Sequence, residues 1–465
     1  MKYSQLSLPF TNHQSEPLLT KKPVLTRSLL FNYGIENSTL TFELIDTGLE
    51  IQEETVLGTK VTYNTYNGDC LYTGYICEFP KTSGKNIITL KADIFYLLES
   101  PINKVIKKEE FPQASENLGK CSNIIIGNES AGLYEARQVE PGKYLAAWNE
   151  LSAVTIVETP DGTDILPQIT REIDPVKGYT YILYASEERT IYFNGLGPVN
   201  EGTLIENPAA MLNYLLTHFS ELQIENLAEA QAIYDDRNYD GNFLYISEDI
   251  DYVDVFKSFS QSFNSRVIYT KEGLIRIKLI RWIGENPVCS IDESQAANFH
   301  KYKETKYLQS AWHRNYQIDP ITKKYGKTPM DLETGKKYKL QTGEFPQKFL
   351  VEDMDSLDVG TRDAYMMGKP LYIYSFKIPG DYFQQLELGD TMEISHRDSY
   401  FPHQNRMIQV LRIGTVDNSG LYFVEGYDIH EIQGTPFIVR EANHPLNPVI
   451  YEAGDHRNPK VWWSN

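Results

Sequence analysis

Two stretches of the sequence decide the fold: ENPAAMLNYLLTHF (residues 206–219) and VFKSFSQSFNSRVIYTKEGLIRIKLI (residues 255–280). Asn207 is a favourable N-cap residue, and Pro208 suits the first helical position because that position needs no N–H donor. Apolar residues then recur at the spacing of an amphipathic helix, namely at Met211, Leu212, Leu215, Leu216 and Phe219. The pattern predicts a helix that begins at Pro208.

The second stretch predicts a helix followed by two strands. Apolar residues at Val253, Phe256, Phe259 and Phe263 form a stripe along a helix predicted over residues 247–263. Two short strand patterns, at residues 266–269 and 274–280, flank Gly273 and predict a hairpin that turns there. Together the two stretches predict an α/β module.

On both sides of this module, short strand patterns dominate the sequence. Before it, alternating apolar residues predict strands within residues 29–102 and 123–194. After it, strands are predicted at residues 310–318, 371–378, 391–395, 407–413 and 421–427. Gly74 inside one strand predicts a bulge or a close approach of the backbone, and Gly414 predicts a bulge.

We therefore predict a mainly β protein with an α/β module, of the α+β class, in which two β-barrel domains are split by an inserted β domain and the α/β domain. The predicted segments are a first β-barrel domain at 1–112, an inserted β domain at 113–200, the α/β domain at 201–290, a second β-barrel domain at 291–437 and a C-terminal arm at 438–465. The second barrel carries a lysine-rich stretch at 319–347 that is predicted as a long exposed loop or a hairpin.

The charge balance argues against broad binding to nucleic acids or anionic membranes. The chain has 44 Lys and Arg residues against 63 Asp and Glu residues, which gives a formal net charge of −19. The first 17 residues lack the apolar region of a signal peptide, and no stretch approaches the roughly 18 apolar residues of a membrane span. We expect synthesis and folding in a host cytoplasm without export.

The four cysteines, Cys70, Cys77, Cys121 and Cys289, are too few for a disulfide scaffold and form no CxxC pair. Buried thiols are favoured over a metal or redox role, although Cys70 and Cys77 could meet across a hairpin.

Candidate sites for chemistry are few. His396, Asp398 and His403 lie in one predicted loop and form a weak candidate metal site, against the favoured interpretation as solvated loop residues. We expect no cofactor, no metal and no catalytic residue. For the lysines of residues 319–347, a solvated loop is favoured, docking onto an acidic partner surface comes second, and contact with DNA comes last.

The order of these motifs resembles the baseplate hub or tail-tip hub proteins of tailed bacteriophages, including the hub region of siphophage tip attachment proteins and gene transfer agent hubs. Residues 206–219 and 255–280 resemble the family's helix, second helix and hairpin. LELGDTMEISH (386–396) with MIQVLRI (407–413), and KVTYNTYNGDCLYTGYICEF (60–79), are similar to the strands of its two barrels. The resemblance covers about nine tenths of the chain, and its evidence is the order of short motifs.

The resemblance implies a non-enzymatic structural protein of the virion tail tip. It implies a homotrimer that presents six tail-tube-like domains in a ring, adapts a six-fold tail tube to a three-fold tip and lies on the DNA exit path. The implied partners are a distal tail or tail tube protein, a tip spike or fibre protein, a tape-measure protein, and DNA in transit. Candidate interface residues are Trp462, Trp463, Lys323, Lys324, Lys336 and Lys337.

Two other functions stay open at this point. The first is a tail-associated cell-wall or polysaccharide hydrolase that uses Asp235, Asp236 or Asp251, and the second is a carbohydrate-binding adhesin. The 32 tyrosines suit large amphipathic protein interfaces better than they indicate a sugar groove.

Overall fold

The fold is taken from a computed structural model of the chain. The structure describes residues 5–7, 23–29, 36–45, 57–64, 68–78, 87–93, 101–128, 132–220, 222–236, 242–263, 265–279, 286–292, 294–304, 311–319, 324–332, 342–346, 371–395, 405–415, 421–429, 438–441 and 449–450.

The N-terminal part of the chain forms six strands. Their bounds are β1 Gln5–Ser7, β2 Val24–Leu29, β3 Glu36–Ile45, β4 Lys60–Asn64, β5 Cys70–Glu78 and β6 Ile87–Asp93. All pairings among them are antiparallel, and the spatial order is β1-β4-β5-β6-β3-β2. Gly74 marks the close approach that the sequence predicts, since a Cβ atom there would meet the ring of Tyr72.

Seven strands follow. Six of them form a second sheet, and β7 belongs to a separate two-stranded pair. The bounds are β7 Ile124–Gly127, β8 Tyr134–Glu140, β9 Lys143–Ala147, β10 Ala153–Glu158, β11 Thr170–Ile173, β12 Thr180–Leu183 and β13 Thr190–Leu196. A 3-10 helix spans Leu166–Gln168, and a short hairpin joins β14 Val199–Asn200 to β15 Thr203–Leu204. The sheet has the order β10-β13-β8-β9-β12-β11.

The predicted α/β module contains three helices and three strands. Their bounds are α1 Pro208–Phe219, α2 Leu227–Asp236, β16 Phe243–Ile246, α3 Tyr252–Phe263, β17 Ser265–Tyr269 and β18 Ile275–Leu279. The Oδ1 atom of Asn207 accepts hydrogen bonds from the N–H groups of Ala209 and Ala210, so the predicted cap of α1 is confirmed. The β17–β18 hairpin turns at Gly273, whose φ is +90°, as predicted. β16 pairs antiparallel with β7, a strand outside the module.

The C-terminal part returns to strands. The bounds are β19 Ser290–Asp292, β20 Ala297–Glu304, β21 Ala311–Asp319, β22 Lys324–Leu332, β23 Thr342–Pro346, β24 Leu371–Pro379, β25 Thr391–Ser395, β26 Asn405–Thr415, β27 Leu421–Asp428, β28 Ile438–Glu441 and β29 Val449–Ile450, with a short helix α4 at Gly380–Phe383. β21 and β22 form an antiparallel hairpin, so strands run through the lysine-rich stretch. The predicted arm begins with β28, which pairs with β22.

Twelve of the described strands form one continuous sheet, and its two halves have the same strand order. In the first half the order is β1-β4-β5-β6-β3-β2, and in the second it is β19-β25-β26-β27-β24-β20. Each strand has a counterpart in the other half, because β19, β20, β24, β25, β26 and β27 occur in this order along the chain, with β21, β22 and β23 inserted between β20 and β24. The one difference in pairing is that β19 runs parallel to β25, whereas β1 runs antiparallel to β4. We call these halves the first and second strand groups.

The correspondence between the groups extends to single residues. The N–H of Ile76 donates to the carbonyl of Thr59 before β4, and the N–H of Val410 donates to the carbonyl of Asp390 before β25. Gly58 and Gly389, which precede those two acceptors, both have φ of +77°. LGTKVTYN (57–64) thus aligns with LGDTMEIS (388–395), an internal similarity that the sequence analysis missed.

The core crosses the boundaries of the predicted segments. One continuous cluster of buried apolar side chains includes Phe42, Leu145, Phe259 and Ile413, one from each of the first four predicted segments. A second cluster lies on the other face of the β8–β13 sheet and includes Tyr144 and Phe193. The prediction of a mainly β protein is confirmed, whereas the two-barrel architecture and the segment bounds stay predictions.

Two details of the sequence prediction need correction. The register of β26 against β27 shifts between Val410 and Arg412, so the bulge lies at Leu411 and not at Gly414. Gly414 is instead a point of close contact with β2. Cys70 and Cys77 lie in one strand, seven residues apart, which at roughly 3.3 Å per residue is far beyond disulfide reach. None of the four cysteines forms a disulfide in the described structure.

Buried tyrosines predict a loss of stability at alkaline pH. Burial raises the pKa of Tyr214, Tyr245 and Tyr252 to about 12, from an ordinary value near 10. Between pH of about 10 and 12 the unfolded chain therefore binds fewer protons than the folded chain, and stability falls as pH rises. Each tyrosine contributes at most about 1.4 kcal/mol per pH unit, an upper bound that partial solvation lowers.

Urea unfolding at stepped pH, with tyrosinate absorbance as a second signal, measures this loss. Tyr252→Phe is a suitable control, because it removes one of the titrating hydroxyl groups and should make the loss of stability with pH correspondingly less steep. A free energy of unfolding that stays constant up to pH 12 would contradict the prediction.

Candidate functional site

The two strand groups meet where β2 pairs antiparallel with the second half of β26. Thr26, Arg27 and Ser28 lie opposite Gly414, Ile413 and Arg412, respectively. The N–H of Leu25 donates to Oγ1 of Thr415 at 2.8 Å. We call this pairing the joint, because it connects strands that are separated by most of the chain.

Gly414 allows the two strands of the joint to approach closely. A Cβ atom at Gly414 would lie 2.5 Å from the carbonyl oxygen of Leu25. We expect Gly414→Val to lower the free energy of unfolding by about 1–3 kcal/mol and to separate β2 from β26, because the clash is with backbone. Urea unfolding measures the first effect, and amide hydrogen exchange over residues 25–28 measures the second.

Thr26→Val is the matched control, since Thr26 lies opposite Gly414 and is only partly buried. We expect that change to stay within about 0.5 kcal/mol. If both valine variants behave alike, Gly414 has no special part in the joint.

Arg27 occupies an inward position of β2, where an apolar residue is the usual choice. Its neighbours on the same face, Leu25 and Leu29, are buried, and Arg27 itself is only 1% exposed. Its Nε lies 2.8 Å from Oε1 of Glu36 in β3, and its Nη1 lies 2.8 Å from Oε2 of Glu387. One buried guanidinium is thus held between a carboxylate from each strand group.

The α/β module contacts the same charges through β17. Arg27 Nη2 donates to the carbonyl oxygen of Tyr269 at 2.7 Å, and the N–H of Tyr269 donates to Oε2 of Glu36 at 2.9 Å. The hydroxyl of Ser38 donates to Oε1 of Glu36. The last residue of β17 is therefore fixed against the first strand group by both of its backbone polar atoms.

Lys271 extends this contact to the second strand group. Its Nζ donates to the carbonyl oxygen of Gln384 at 2.7 Å and lies 3.9 Å from Oε1 of Glu387. Its backbone N–H donates to the same carboxylate oxygen at 3.2 Å. We call Arg27, Glu36, Lys271 and Glu387 the buried charge cluster.

The turn before β25 adds a second ion pair beside this cluster. Asp390 Oδ2 accepts from the N–H of Glu387 at 2.7 Å, and Asp390 Oδ1 lies 2.7 Å from Nζ of Lys278 in β18. The turn passes through Gly389 with φ of +77°, a conformation that favours glycine. The turn at residues 388–390 thus contributes a charge to the contact.

The cluster is balanced, with two cationic and two anionic groups. Burial alone would lower the pKa of Arg27, but the charges of Glu36 and Glu387 outweigh it and raise that pKa above its ordinary value. Burial lowers the pKa of Lys271, the charge of Arg27 acts in the same direction, and Glu387 opposes both. Every member donates or accepts within the site, so the arrangement suits holding three modules in one geometry.

A cavity of about 630 Å³ lies beside α1, with the β14–β15 hairpin and α2 as its other walls. Tyr214 and His218 on α1 stack with ring centroids 3.8 Å apart, and both line the cavity. Burial lowers the pKa of His218, while a hydrogen bond and the charge of Glu150 oppose this shift. A neutral imidazole and a neutral phenol therefore face this cavity near neutral pH.

The candidate residues from the sequence fall largely outside the described structure. His396, Asp398 and His403 lie outside the described residues, as do Trp462, Trp463, Lys323, Lys336 and Lys337. Of Lys324, the structure describes only its backbone place at the start of β22. Within the described residues, no group of three or more His, Cys, Asp or Glu side chains could hold a metal ion. In the same residues, no helix has the length and apolarity to span a membrane.

The acids of the hydrolase hypothesis have structural contacts. Asp251 Oδ1 accepts from the N–H of Asp254 at 2.8 Å, at the start of α3. Asp235 Oδ1, near the end of α2, accepts from Nδ2 of Asn207 at 2.7 Å. These bonds secure the ends of helices.

The buried charge cluster was not predicted, because β2 lies before Leu29, where the predicted strands begin. β2 shows the alternation of a half-buried strand, with Leu25, Arg27 and Leu29 on one face. An arginine at an inward position of such a pattern is the signal that could have found the site, since a buried charge needs a partner.

Comparisons with known proteins were made at the level of sequence and of structure. No protein-family model matches the chain, and no curated protein sequence matches it. Several solved structures are similar in fold at low identity. The 43 kDa tail protein of prophage MuSo2 from Shewanella oneidensis is 8% identical, with 93% of this chain and 98% of that chain covered and a TM-score of 0.45.

Two further solved structures have comparable scores. The tail protein from Neisseria meningitidis MC58 is 8% identical, with 92% of this chain and 96% of that chain covered and a TM-score of 0.43. A chain from the virion of a native gene transfer agent particle is 11% identical, with 70% of this chain and 87% of that chain covered and a TM-score of 0.43. These three similarities are of fold, at low sequence identity.

Proposed function

We propose that this chain is the structural hub of a phage-type tail tip or baseplate, a non-enzymatic protein of the virion. In this proposal three copies form a ring, each copy contributes its two strand groups, and the six groups match a six-fold tail tube above a three-fold tip. The observation that carries the proposal is the repeated strand order of the two groups, joined side by side in one sheet through β2 and β26.

The buried charge cluster supports the same proposal. A hub must hold its two repeated groups at a fixed angle, and Arg27 is bound by carboxylates from both groups. β17 of the α/β module bonds to the same residues. The cluster is therefore suited to fix the geometry of a subunit within a ring.

The charge of the chain suits a passage for DNA. A net charge of −19 repels phosphates, so DNA in transit would not adhere to an acidic ring. The proposed partners are a distal tail or tail tube protein above the ring, a spike or fibre protein below it, and a tape-measure protein. Trp462, Trp463 and the lysines of residues 319–347 remain the proposed contact residues for such partners.

Electron microscopy of the purified full chain, together with mass photometry over a concentration series, tests the proposal. We expect ring-shaped particles with three-fold symmetry and six similar densities around a central opening. A protein that stays monomeric at all concentrations and gives no ring with a distal tail protein would overturn it.

A further inference from the structure

The cavity beside α1 lies where the inserted β domain meets the α/β module. The connection between β9 and β10 and the β14–β15 hairpin form one side of it, and α1 and α2 form the other. Its volume of about 630 Å³ lies within the roughly 300–1,000 Å³ that is usual for ligand sites. Four of the lining residues, Glu150, Val199, Asn200 and Thr217, are exposed, so the cavity is open to solvent.

The walls of this cavity are tied to the rest of the fold. Nδ2 of Asn207 donates to the carbonyl oxygen of Gln231 at 3.0 Å, which bonds the start of α1 to α2. Asn149, next to Glu150 in the connection between β9 and β10, is 2% exposed and exchanges two hydrogen bonds with the backbone of Ile125. A site whose walls are fixed before binding loses little conformational freedom when a ligand enters.

The charge of the cavity favours a cation. Glu150 and Glu206 line it, and no lysine or arginine is present among its described lining residues. His218 is the remaining basic group there, and partial burial lowers the pKa of its imidazole, so it is neutral near neutral pH. An anionic ligand would therefore meet two carboxylates without a compensating positive charge, whereas a cation would be attracted.

The aromatic pair in the cavity favours arginine among the cationic side chains. The rings of Tyr214 and His218 stack with centroids 3.8 Å apart and planes inclined by 21°. A planar guanidinium can lie against such a ring and still donate to a carboxylate, which the compact ammonium of lysine does less well. Amide side chains at Asn200, Asn213 and Gln231 also line the cavity and offer further oxygen acceptors.

We propose that this cavity binds an arginine side chain of a partner protein, with the guanidinium against the His218 ring and paired with Glu150. A residue of a polypeptide fits better than a free small cation, because Val199 at the edge of the cavity is 45% exposed and gives an apolar neighbour of the arginine a surface to cover. The site lies within one subunit, so the inference goes beyond the hub function and does not depend on a ring.

Isothermal titration of the purified full chain with short peptides tests the site. The probe is acetyl-Leu-Arg-amide, for which we expect a dissociation constant of about 1 mM or below. The citrulline peptide has the same shape without the charge, and it should bind at least about tenfold more weakly because it forms no ion pair. The lysine peptide should bind about threefold more weakly than the arginine peptide. Equal binding of the arginine and citrulline peptides would overturn the proposal.

The carboxylate is tested by a matched pair of variants. Glu150→Gln should weaken binding of the arginine peptide about tenfold, because it removes the charged acceptor and keeps the size of the side chain. Glu187→Gln removes the same charge from an exposed position of the inserted β domain that does not line the cavity, and it should leave the affinity unchanged. Equal weakening by the two variants would trace the binding to net charge and overturn the site.

The aromatic contact is tested at His218. His218→Ala should weaken binding about fivefold, and His218→Phe should restore it because the phenyl ring keeps an aromatic face. The other titratable groups that line the cavity are Glu150, Glu206 and Tyr214. Protonation of His218 adds a positive charge there, so the affinity of the wild type should fall between about pH 7 and about pH 5. An equal fall in His218→Phe would place the guanidinium away from this ring and overturn the site.

A different ligand class is also distinguishable. If oligomers of N-acetylglucosamine bind and the arginine peptide does not bind at about 10 mM, the cavity is a carbohydrate site and the proposal is overturned. Circular dichroism of each variant, compared with the wild type, confirms that a loss of binding is not a loss of fold. Failure of the arginine peptide to bind leaves the hub function standing, because that function is tested by the formation of a three-fold ring.

Discussion

Arg27→Met is expected to lower the free energy of unfolding by about 3–5 kcal/mol, since removal of one partner leaves buried charges without compensation. Methionine preserves much of the volume but neither the charge nor the donors. Glu36 would lose its ion pair with Nε of Arg27, and the carbonyl oxygen of Tyr269 would lose its hydrogen bond from Nη2 of Arg27. Glu387 would keep only Lys271, whose Nζ is 3.9 Å away. Denaturant unfolding of the full chain measures the loss.

A matched control removes a cation from an exposed ion pair. Lys257 lies 3.4 Å from Asp254 on the surface of α3, with side chains that are 34% and 53% exposed. Lys257→Met should cost no more than about 0.5 kcal/mol, because water solvates the remaining carboxylate. If the two methionine variants are equally stable, Arg27 is not the centre of the joint.

A double variant separates charge from packing. Arg27→Met with Glu36→Gln restores the balance, because Lys271 and Glu387 remain as one cation and one anion. The glutamine can still accept from the N–H of Tyr269 through its carbonyl oxygen. We expect it to recover about half of the loss caused by Arg27→Met alone, and a further loss instead would mean that hydrogen bonding outweighs charge.

Much of the fold could be predicted from the sequence because local patterns agree with the tertiary structure. Asn207 and Pro208 define the start of α1 in both, since the cap satisfies N–H groups that any helix leaves unpaired. The five strands predicted after the α/β module lie within two residues of their observed bounds, as in β25 at Thr391–Ser395, whereas β19 and β20 were not predicted. In β27, burial alternates along residues 421–426, in agreement with the sequence pattern.

Other elements could not be predicted because their signal is not local. α2 was not predicted, because LAEAQAIYDD has few large apolar residues to form a helical stripe; in the structure it contacts α1 and β18. Helix α3 was predicted from residue 247 but begins at Tyr252, because Asp251 supplies the cap. Beyond the Leu-Gly pairs at 57–58 and 388–389, the duplication is visible mainly in strand order, because most matched positions have different side chains.

The contacts of the candidate site could not be predicted from local sequence either. Glu36 and Glu387 are separated by most of the chain, and their meeting at Arg27 depends on the joint between β2 and β26. Their sequence neighbourhoods contain no spacing that indicates this contact. A buried charge is predictable from one strand, but its partners follow only from topology.

Trp148→Ala is expected to lower the free energy of unfolding by about 3–5 kcal/mol, the usual range for loss of a buried tryptophan. Trp148 is 2% exposed, and its ring contacts Tyr179 at 4.9 Å and Phe111 at 6.1 Å between centroids. Its Nε1 donates to the carbonyl oxygen of Lys104 at 3.0 Å, which would lose that donor. The side chain thus links the inserted β domain to the segment before it.

This contact also predicts how the chain unfolds. Trp148 belongs to the core cluster that contains Phe42 and Phe259, so the inserted domain shares its core with the rest of the described chain. We therefore expect one cooperative transition for the wild type, and Trp148→Ala should shift it as a whole. Val176→Ala, at a side chain that is 90% exposed, is the control and should stay within about 0.5 kcal/mol. A separate early transition of the inserted domain in the wild type would mean that its sheet folds independently, and the tryptophan would then be a contact between two stable units.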